Sequence, residues 1–246
     1  YEQVRQLTFS TDPCYEGMDL EGYIFDSRQG GVTVTPAFEK YLMVFTSFGC
    51  PYNCLFCANK SLQGRGVVYR SVQSVLDEIG YLIDTYGIRM VMLGGECIAA
   101  KKDRFLELIT SLNKKWPSLK WYANPSIWHL SMELLEEMSA CGCSNLVLSV
   151  ESGKQETLTN IINKPLDLKI VPPLATKAHE LGITTTFNFL IGFPGETWED
   201  LRESLAYAEK LDADYIQINI VTPLPKTDLL KLAQDRGVLS SNYSSL

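Results

Sequence analysis

Histidine is scarce in this chain: there are two in 246 residues, His129 and His179. They lie far apart and match no zinc-ligand spacing, so a histidine-built metal site is not expected. No run of roughly 18 apolar residues occurs, and therefore no segment reads as a membrane-spanning helix. Basic charge is short too. Against 29 Asp and Glu stand 22 Lys and Arg, a net charge of −7. That balance argues against a broad nucleic-acid-binding face, and nucleic acid is not the expected partner. The opening, Tyr1-Glu2-Gln3-Val4-Arg5, is not an apolar targeting segment and has no initiator Met. The expectation is a cytoplasmic protein, seen here as an excised or processed piece.

What the chain does have is a concentration of thiols. Three of its seven cysteines fall within eight residues, Cys50-Pro51-Tyr52-Asn53-Cys54-Leu55-Phe56-Cys57, a C-x3-C-x2-C spacing directly after the apolar run Leu42 to Phe45. A structural zinc site is normally closed by four protein ligands. A [4Fe–4S] cluster takes one thiolate per iron, so three thiolates leave one iron open to a ligand that is not protein. Zinc, a disulfide and a redox pair are the other readings of such a cluster of cysteines. An odd total fits free thiols in a reducing compartment better than a disulfide framework. Cys14, Cys97, Cys141 and Cys143 read as small buried apolar residues. Cys97 is the nearest spare thiol if a fourth ligand were needed.

Residues 1–40 show no sustained period and read as a linker or extension. From 41 to about 240, β-rich runs alternate with helical patterns. Strands are predicted at 41–47, 88–93, 119–123, 145–150, 184–191 and 215–221. Helices are predicted at 71–86, 102–115, 131–141, 168–181, 197–211 and 226–236. Ser71, Ser131 and Thr197 stand where helix N-caps belong. Six β–α units in succession imply an α/β fold with a parallel sheet, and six in place of eight imply an open, partial (βα)6 barrel related to the TIM barrel. In such barrels the active site lies beyond the C-terminal ends of the strands, where the cysteine loop begins.

Further motifs end the other strands. Gly94-Gly95-Glu96 follows the second; two glycines permit close backbone approach, and a carboxylate there can accept from an ammonium group. Glu151, in Val150-Glu151-Ser152-Gly153, follows the apolar run 146–148 and can accept from a pair of hydroxyls; a charge in that position needs a partner. Gly192-Phe193-Pro194-Gly195-Glu196-Thr197 reads as a rigid turn with Glu196 in a structural role. Lys164 reads first as a solvated lysine and second as a cation near a ligand carboxylate. His179 reads as a surface residue, and Trp116, Trp121, Trp128 and Trp198 read as core or rim aromatics.

The cysteine motif, with Phe56 just before its third cysteine, resembles that of the radical S-adenosylmethionine (SAM) superfamily. The likeness runs from about residue 41 to 236. It implies a [4Fe–4S] cluster on Cys50, Cys54 and Cys57, with the open iron taking the amino and carboxylate groups of SAM. An electron passed to SAM would then release a 5′-deoxyadenosyl radical that abstracts hydrogen from a small-molecule substrate. Gly94, Gly95 and Glu96 match the motif that holds the amino end of SAM, Glu151 the residue that holds its ribose, and the backbone near Ile191 the adenine wall. A reductant such as flavodoxin or ferredoxin is implied. The run 189–200 resembles one found in the cobalamin-binding class and in the methylthiotransferases, and Asn163-Lys164-Pro165-Leu166-Asp167-Leu168 resembles the cobalamin-binding class. The motif set looks most like that class, which often methylates unactivated carbon. That class usually carries a cobalamin domain before the barrel, and residues 1–40 contain no Asp-x-His-x-x-Gly. A methylthiotransferase-like RNA modifier is the runner-up within the superfamily. An iron–sulfur electron carrier without SAM chemistry is the reading from another class. Lys226 stands where relatives carry Gly, and Asn124 where many carry Arg; both departures bear on substrate handling.

Overall fold

The computed structural model describes residues 40–240, together with 15, 17–20, 25, 26 and 243. Most of the expected extension 1–40 lies outside the described residues. The strands are β1 (Phe25–Asp26), β2 (Lys40–Phe45), β3 (Ser47–Phe48), β4 (Val68–Tyr69), β5 (Met90–Gly94), β6 (Lys120–Ala123), β7 (Cys143–Glu151), β8 (Thr184–Ile191) and β9 (Tyr215–Ile220). The helices are α1 (Asn59–Leu62), α2 (Val72–Tyr86), α3 (Lys102–Lys115), α4 (Met132–Ala140), α5 (Val171–Glu180), α6 (Trp198–Ala208) and α7 (Asp228–Asp235).

The main sheet has the order β1-β2-β5-β6-β7-β8-β9. From β2 to β9 every neighbouring pair is parallel, and β1 alone runs antiparallel, against β2. Six parallel strands laid down in sequence order, each reached through a helical crossover, wind in one direction and curl the sheet. This is the expected partial barrel, open among the described residues between its first and last strands. Its middle is β6 and β7, and β7 is buried on both faces, as parallel strands under helices are. Trp121, Phe105, Phe187 and Phe189 fill the space between sheet and helices.

Local chemistry sets the element boundaries. Ser71 Oγ accepts from Ser74 N, Ser131 Oγ from Leu134 N, and Thr197 forms a reciprocal capping box with Asp200, each worth about 1 kcal/mol. Gly87 closes α2 in the left-handed conformation.

Three expectations need correction. The run 41–47 is not one strand. It breaks at Thr46, whose backbone N–H and Oγ1 both donate to Gly94 O at 2.8 and 3.1 Å. Ser47–Phe48 then leaves the main sheet and pairs with β4 as a two-stranded ribbon. Helix 168–181 starts later, at Val171, because Pro172 and Pro173 fit only its first turn; a single 3-10 turn, Leu168–Ile170, precedes it. Helix 226–236 starts at Asp228, because Lys226 has a left-handed φ of 63° that no helix continues. Two short elements carry no periodic signal at all: a π-helical segment, Thr157–Ile162, and a 3-10 turn, Ile127–His129.

Candidate functional site

The cysteine loop leaves the C-terminal end of β2 through Gly49. That residue has a φ of 84°, and a Cβ there would come within 2.0 Å of Gly66 O, so only glycine fits. Two buried arginines fix the take-off. Arg70 Nη1 donates to Phe45 O at 2.9 Å, and Arg104 Nη2 to Thr46 O at 3.1 Å. Arg70 is ion-paired with buried Glu78, so its charge is answered. The loop itself is pinned from two sides: Leu55 N donates to Ile162 O at 2.8 Å, and Leu55 O accepts from Leu229 N at 2.9 Å.

Cys50 and Cys54 are half-buried and Cys57 is exposed. The three thiols share one electrostatic neighbourhood. Burial pushes Cys54 up to about 11, a shift that Lys164 opposes and that Cys57, Cys50 and Glu151 reinforce. Burial also raises Cys57, with Cys50, Glu96 and Glu151 adding to it. Cys50 moves the other way, to about 7, because Cys97 donates a hydrogen bond to its sulfur at 3.8 Å. That same bond, with burial, raises Cys97. Cys97 is fully buried, and Cys141 and Cys143 are buried in the core, as their sequence suggested. Phe56 packs its ring on Phe193 at 5.9 Å between centroids.

The two carboxylates singled out from the sequence face this loop from different strands. Glu96 follows β5. Its Oε1 accepts from Gln63 Nε2 at 3.2 Å, and its Oε2 is buried without a partner among the described residues. Gly94 and Gly95 are explained first by packing within the chain. A Cβ on Gly95 would come within 2.3 Å of Ser47 Oγ, and one on Gly94 within 3.1 Å of Met43. Glu151 ends β7 at a register shift against β8, with a left-handed φ of 75° and its side chain buried. Such a backbone costs a non-glycine residue about 1–3 kcal/mol, and strain of this kind concentrates at functional sites.

Lys164 corrects the sequence reading. It is not solvated but 7% exposed, and its Nζ donates to Glu151 Oε1 at 2.9 Å and to Ser149 O at 2.7 Å. Ile191 ends β8 with its carbonyl accepting from Val221 N at 2.9 Å. Glu196 accepts from the backbone N–H of Gly192 and Phe193 at 2.8 and 2.7 Å, the turn-holding role read from the sequence. His179 is exposed beside Asp212. Trp198 is exposed, at 77%, not part of the core.

His129 was passed over in the sequence because it has no ligand spacing. It shares a 2.9 Å hydrogen bond with Tyr52 of the cysteine loop, and Tyr52 stacks edge-on against Trp128. Its place just after β6, at the active end of a parallel strand, was the signal available. A cavity of about 790 Å³ adjoins the loop, lined by Tyr52, Asn53, Asn163 and Lys164 among others, with none of the loop cysteines and neither carboxylate in its wall.

These residues suit a [4Fe–4S] cluster and a cationic amino acid better than a single ion. Among the described residues no three His, Cys, Asp or Glu side chains converge on one ion-sized point. A cubane takes each thiolate at a separate corner. The unpartnered Glu96 oxygen calls for a donor from outside the chain, since a buried carboxylate oxygen left bare is costly. Among the described residues no helix is long and apolar enough to cross a membrane.

Comparison with known proteins agrees. An uncharacterized methyltransferase of Pyrococcus horikoshii is 28% identical over 92% of this chain and 47% of its own length. The cytidylyl-2-hydroxyethylphosphonate methyltransferase of Streptomyces wedmorensis is 32% identical over 94% of this chain and 44% of its own length. The chain thus spans about half the length of these relatives. The structure of the radical SAM methyltransferase TsrM from Kitasatospora setae, with cobalamin and a [4Fe–4S] cluster bound, superposes with a TM-score of 0.73 at 20% identity. It covers 80% of this chain and 40% of its own, a likeness of fold. The family model of the radical SAM superfamily matches residues 44–208, and the chain belongs to that superfamily.

Proposed function

We propose that this enzyme binds its [4Fe–4S] cluster through Cys50, Cys54 and Cys57 and uses SAM to activate a small-molecule substrate for methyl transfer to carbon. One observation carries the reading. Three thiols of one loop and two carboxylates of separate strands share a single electrostatic neighbourhood beyond the C-terminal ends of a parallel sheet. The cluster, when bound, supplies the electron that cleaves the SAM sulfonium and yields the 5′-deoxyadenosyl radical; the chain supplies position and charge. Glu96 Oε2 receives the amino group of SAM, and Glu151, steadied by Lys164, accepts from the ribose hydroxyls. Phe56 and the end of β8 near Ile191 wall the adenine side. Burial of Glu151 and of the Glu96 Oε2 atom limits water at that end of the site.

Methyl transfer, and cobalamin as methyl carrier in the full-length protein, find support in the relatives. Those quoted above are methyltransferases, and the TsrM structure holds cobalamin. A flavodoxin or ferredoxin would deliver the electron. The test is anaerobic cluster reconstitution followed by SAM and dithionite, with 5′-deoxyadenosine read by mass spectrometry. The wild type should form it and Cys54→Ala should not. Equal amounts from both would remove the cysteine loop from the chemistry.

A further inference from the structure

The segment Ile162-Asn163-Lys164 touches both halves of the site at once. Ile162 O accepts from Leu55 N at 2.8 Å, and Asn163 Nδ2 donates to Asn53 O at 3.2 Å, so two consecutive residues hold the cysteine loop by its backbone. The next residue, Lys164, reaches the opposite way. Its Nζ bridges Ser149 O and Glu151 Oε1, spanning the bulge at which β7 turns Glu151 into the left-handed region. Nζ also lies 5.7 Å from the Trp128 ring, which leaves little freedom for the head group.

The backbone of this segment is itself unusual. A π-helical turn ends at Ile162, and Asn163 has a φ of 59°, so the chain reverses where the two sets of contacts diverge. Lys164 N is bonded back to Leu158 O at 2.9 Å, which fixes the reversal. π-Helical turns inside proteins occur frequently at functional sites.

We propose that Ile162-Asn163-Lys164 is a positioning strap that fixes the distance between the cysteine loop and Glu151. Its effect on SAM is indirect. Lys164 occupies one carboxylate oxygen of Glu151, leaves the other for the ligand, and transmits the position of the cysteine loop to it. The strap thus sets the spacing between the cluster and the ribose-binding carboxylate. It rests on the SAM reading above, but its mechanical part does not.

The experiment uses the reconstituted 246-residue chain with Asn163→Gly, Lys164→Met and Lys164→Arg. Glycine keeps the left-handed φ and removes only the side-chain tie to Asn53. Amide hydrogen exchange is read in peptides covering 50–57 and 149–152. The SAM concentration that half-saturates the change in the electron paramagnetic resonance signal of the reduced cluster is read in parallel. Lys164→Met should speed exchange in both peptides, although Lys164 bonds only to the second, and should raise the half-saturating SAM concentration about tenfold. Lys164→Arg should recover most of that loss. Asn163→Gly should speed exchange at 50–57 about fivefold and raise the half-saturating concentration severalfold, with iron content unchanged. Should Lys164→Met fail to fold, Asn163→Gly carries the same test, because Asn163 is exposed. Faster exchange confined to 149–152 in Lys164→Met, or wild-type SAM saturation in Asn163→Gly, would overturn the strap. A wild-type cluster signal that ignores SAM would instead overturn the proposed function, while the exchange data still decide whether the two halves are mechanically joined.

Discussion

Glu96 and Glu151 both follow a parallel strand and both face the cysteine loop, yet the chain treats their charges in opposite ways. Glu96 leans on a neutral amide, Gln63, and leaves one buried oxygen bare. Glu151 has a buried cation of its own, Lys164, and pays in backbone strain for its place. A bare buried carboxylate asks for a positive ligand group; one already neutralised asks for uncharged donors. SAM presents an ammonium at one end and ribose hydroxyls at the other. Under the proposed function, the asymmetry supports an orientation with the methionine end over β5 and the nucleoside over β7.

The comparison can be broken by neutralising each acid in turn. Glu151→Gln strands the Lys164 charge and should cost about 3 kcal/mol of stability, seen as a lower thermal midpoint, in addition to weakening SAM. Glu96→Gln strands nothing. It should leave the midpoint unchanged or higher and weaken SAM binding by about tenfold to a hundredfold, the worth of a hydrogen bond to a charged group. Equal midpoints for the two variants would erase the distinction between the two acids.

Cys97 sharpens it from the β5 side. Among the described residues it is the one spare thiol near the loop, 3.8 Å from Cys50. Cys97→Ala should retain full iron and sulfide content after reconstitution, because the loop supplies the three ligands the reading requires. Loss of the cluster would make Cys97 a fourth ligand and restore the electron-carrier reading.

Acid stability tests the β7 side more gently. Lys154, just beyond Glu151, donates to Asp200 at 2.6 Å, and this bond first, then the Thr197 backbone, lowers the Asp200 carboxyl to about 2. A carboxyl depressed in the folded state stabilises fully above its ordinary value near 3.8 and loses that contribution as pH falls toward about 2. Asp200→Asn should lower stability at neutral pH, where the contribution is present, and converge with the wild type at the acid limit, where it is already lost, so that the profile flattens in that window. A slope in that window as steep as the wild type's would show that the pair does not matter.

The smallest effect belongs to Lys226, held at a φ of 63°. Lys226→Gly should stabilise by about 1 kcal/mol by chemical denaturation, since it removes left-handed strain at a surface turn. Destabilisation would mean that the Lys60–Asp228 and Ser61–Lys226 contacts beside the turn depend on more than its backbone.

Periodicity made the barrel legible, because strands rich in β-formers alternate with crossover helices that have a buried stripe, three of them behind a capping Ser or Thr. Spacing made the cysteine loop legible, because its ligands are neighbours in sequence. The partner of Glu151 was not legible in the same way. Lys164 lies 13 positions away, beyond a π-helical turn and a left-handed asparagine that leave no periodic trace. Nor could the bond between Tyr52 and His129 be read, since it joins loops 77 positions apart. Long-range charge pairing is decided by where strand ends meet, and local sequence does not encode that.

The most direct test of the central claim is Mössbauer spectroscopy of the chain reconstituted with 57Fe, with and without SAM. Three thiolate ligands leave one iron of a [4Fe–4S] cluster without a protein side chain. SAM should therefore shift one iron site apart from the other three in the wild type, and do so far less in Glu96→Gln. A spectrum that SAM leaves unchanged would contradict the account.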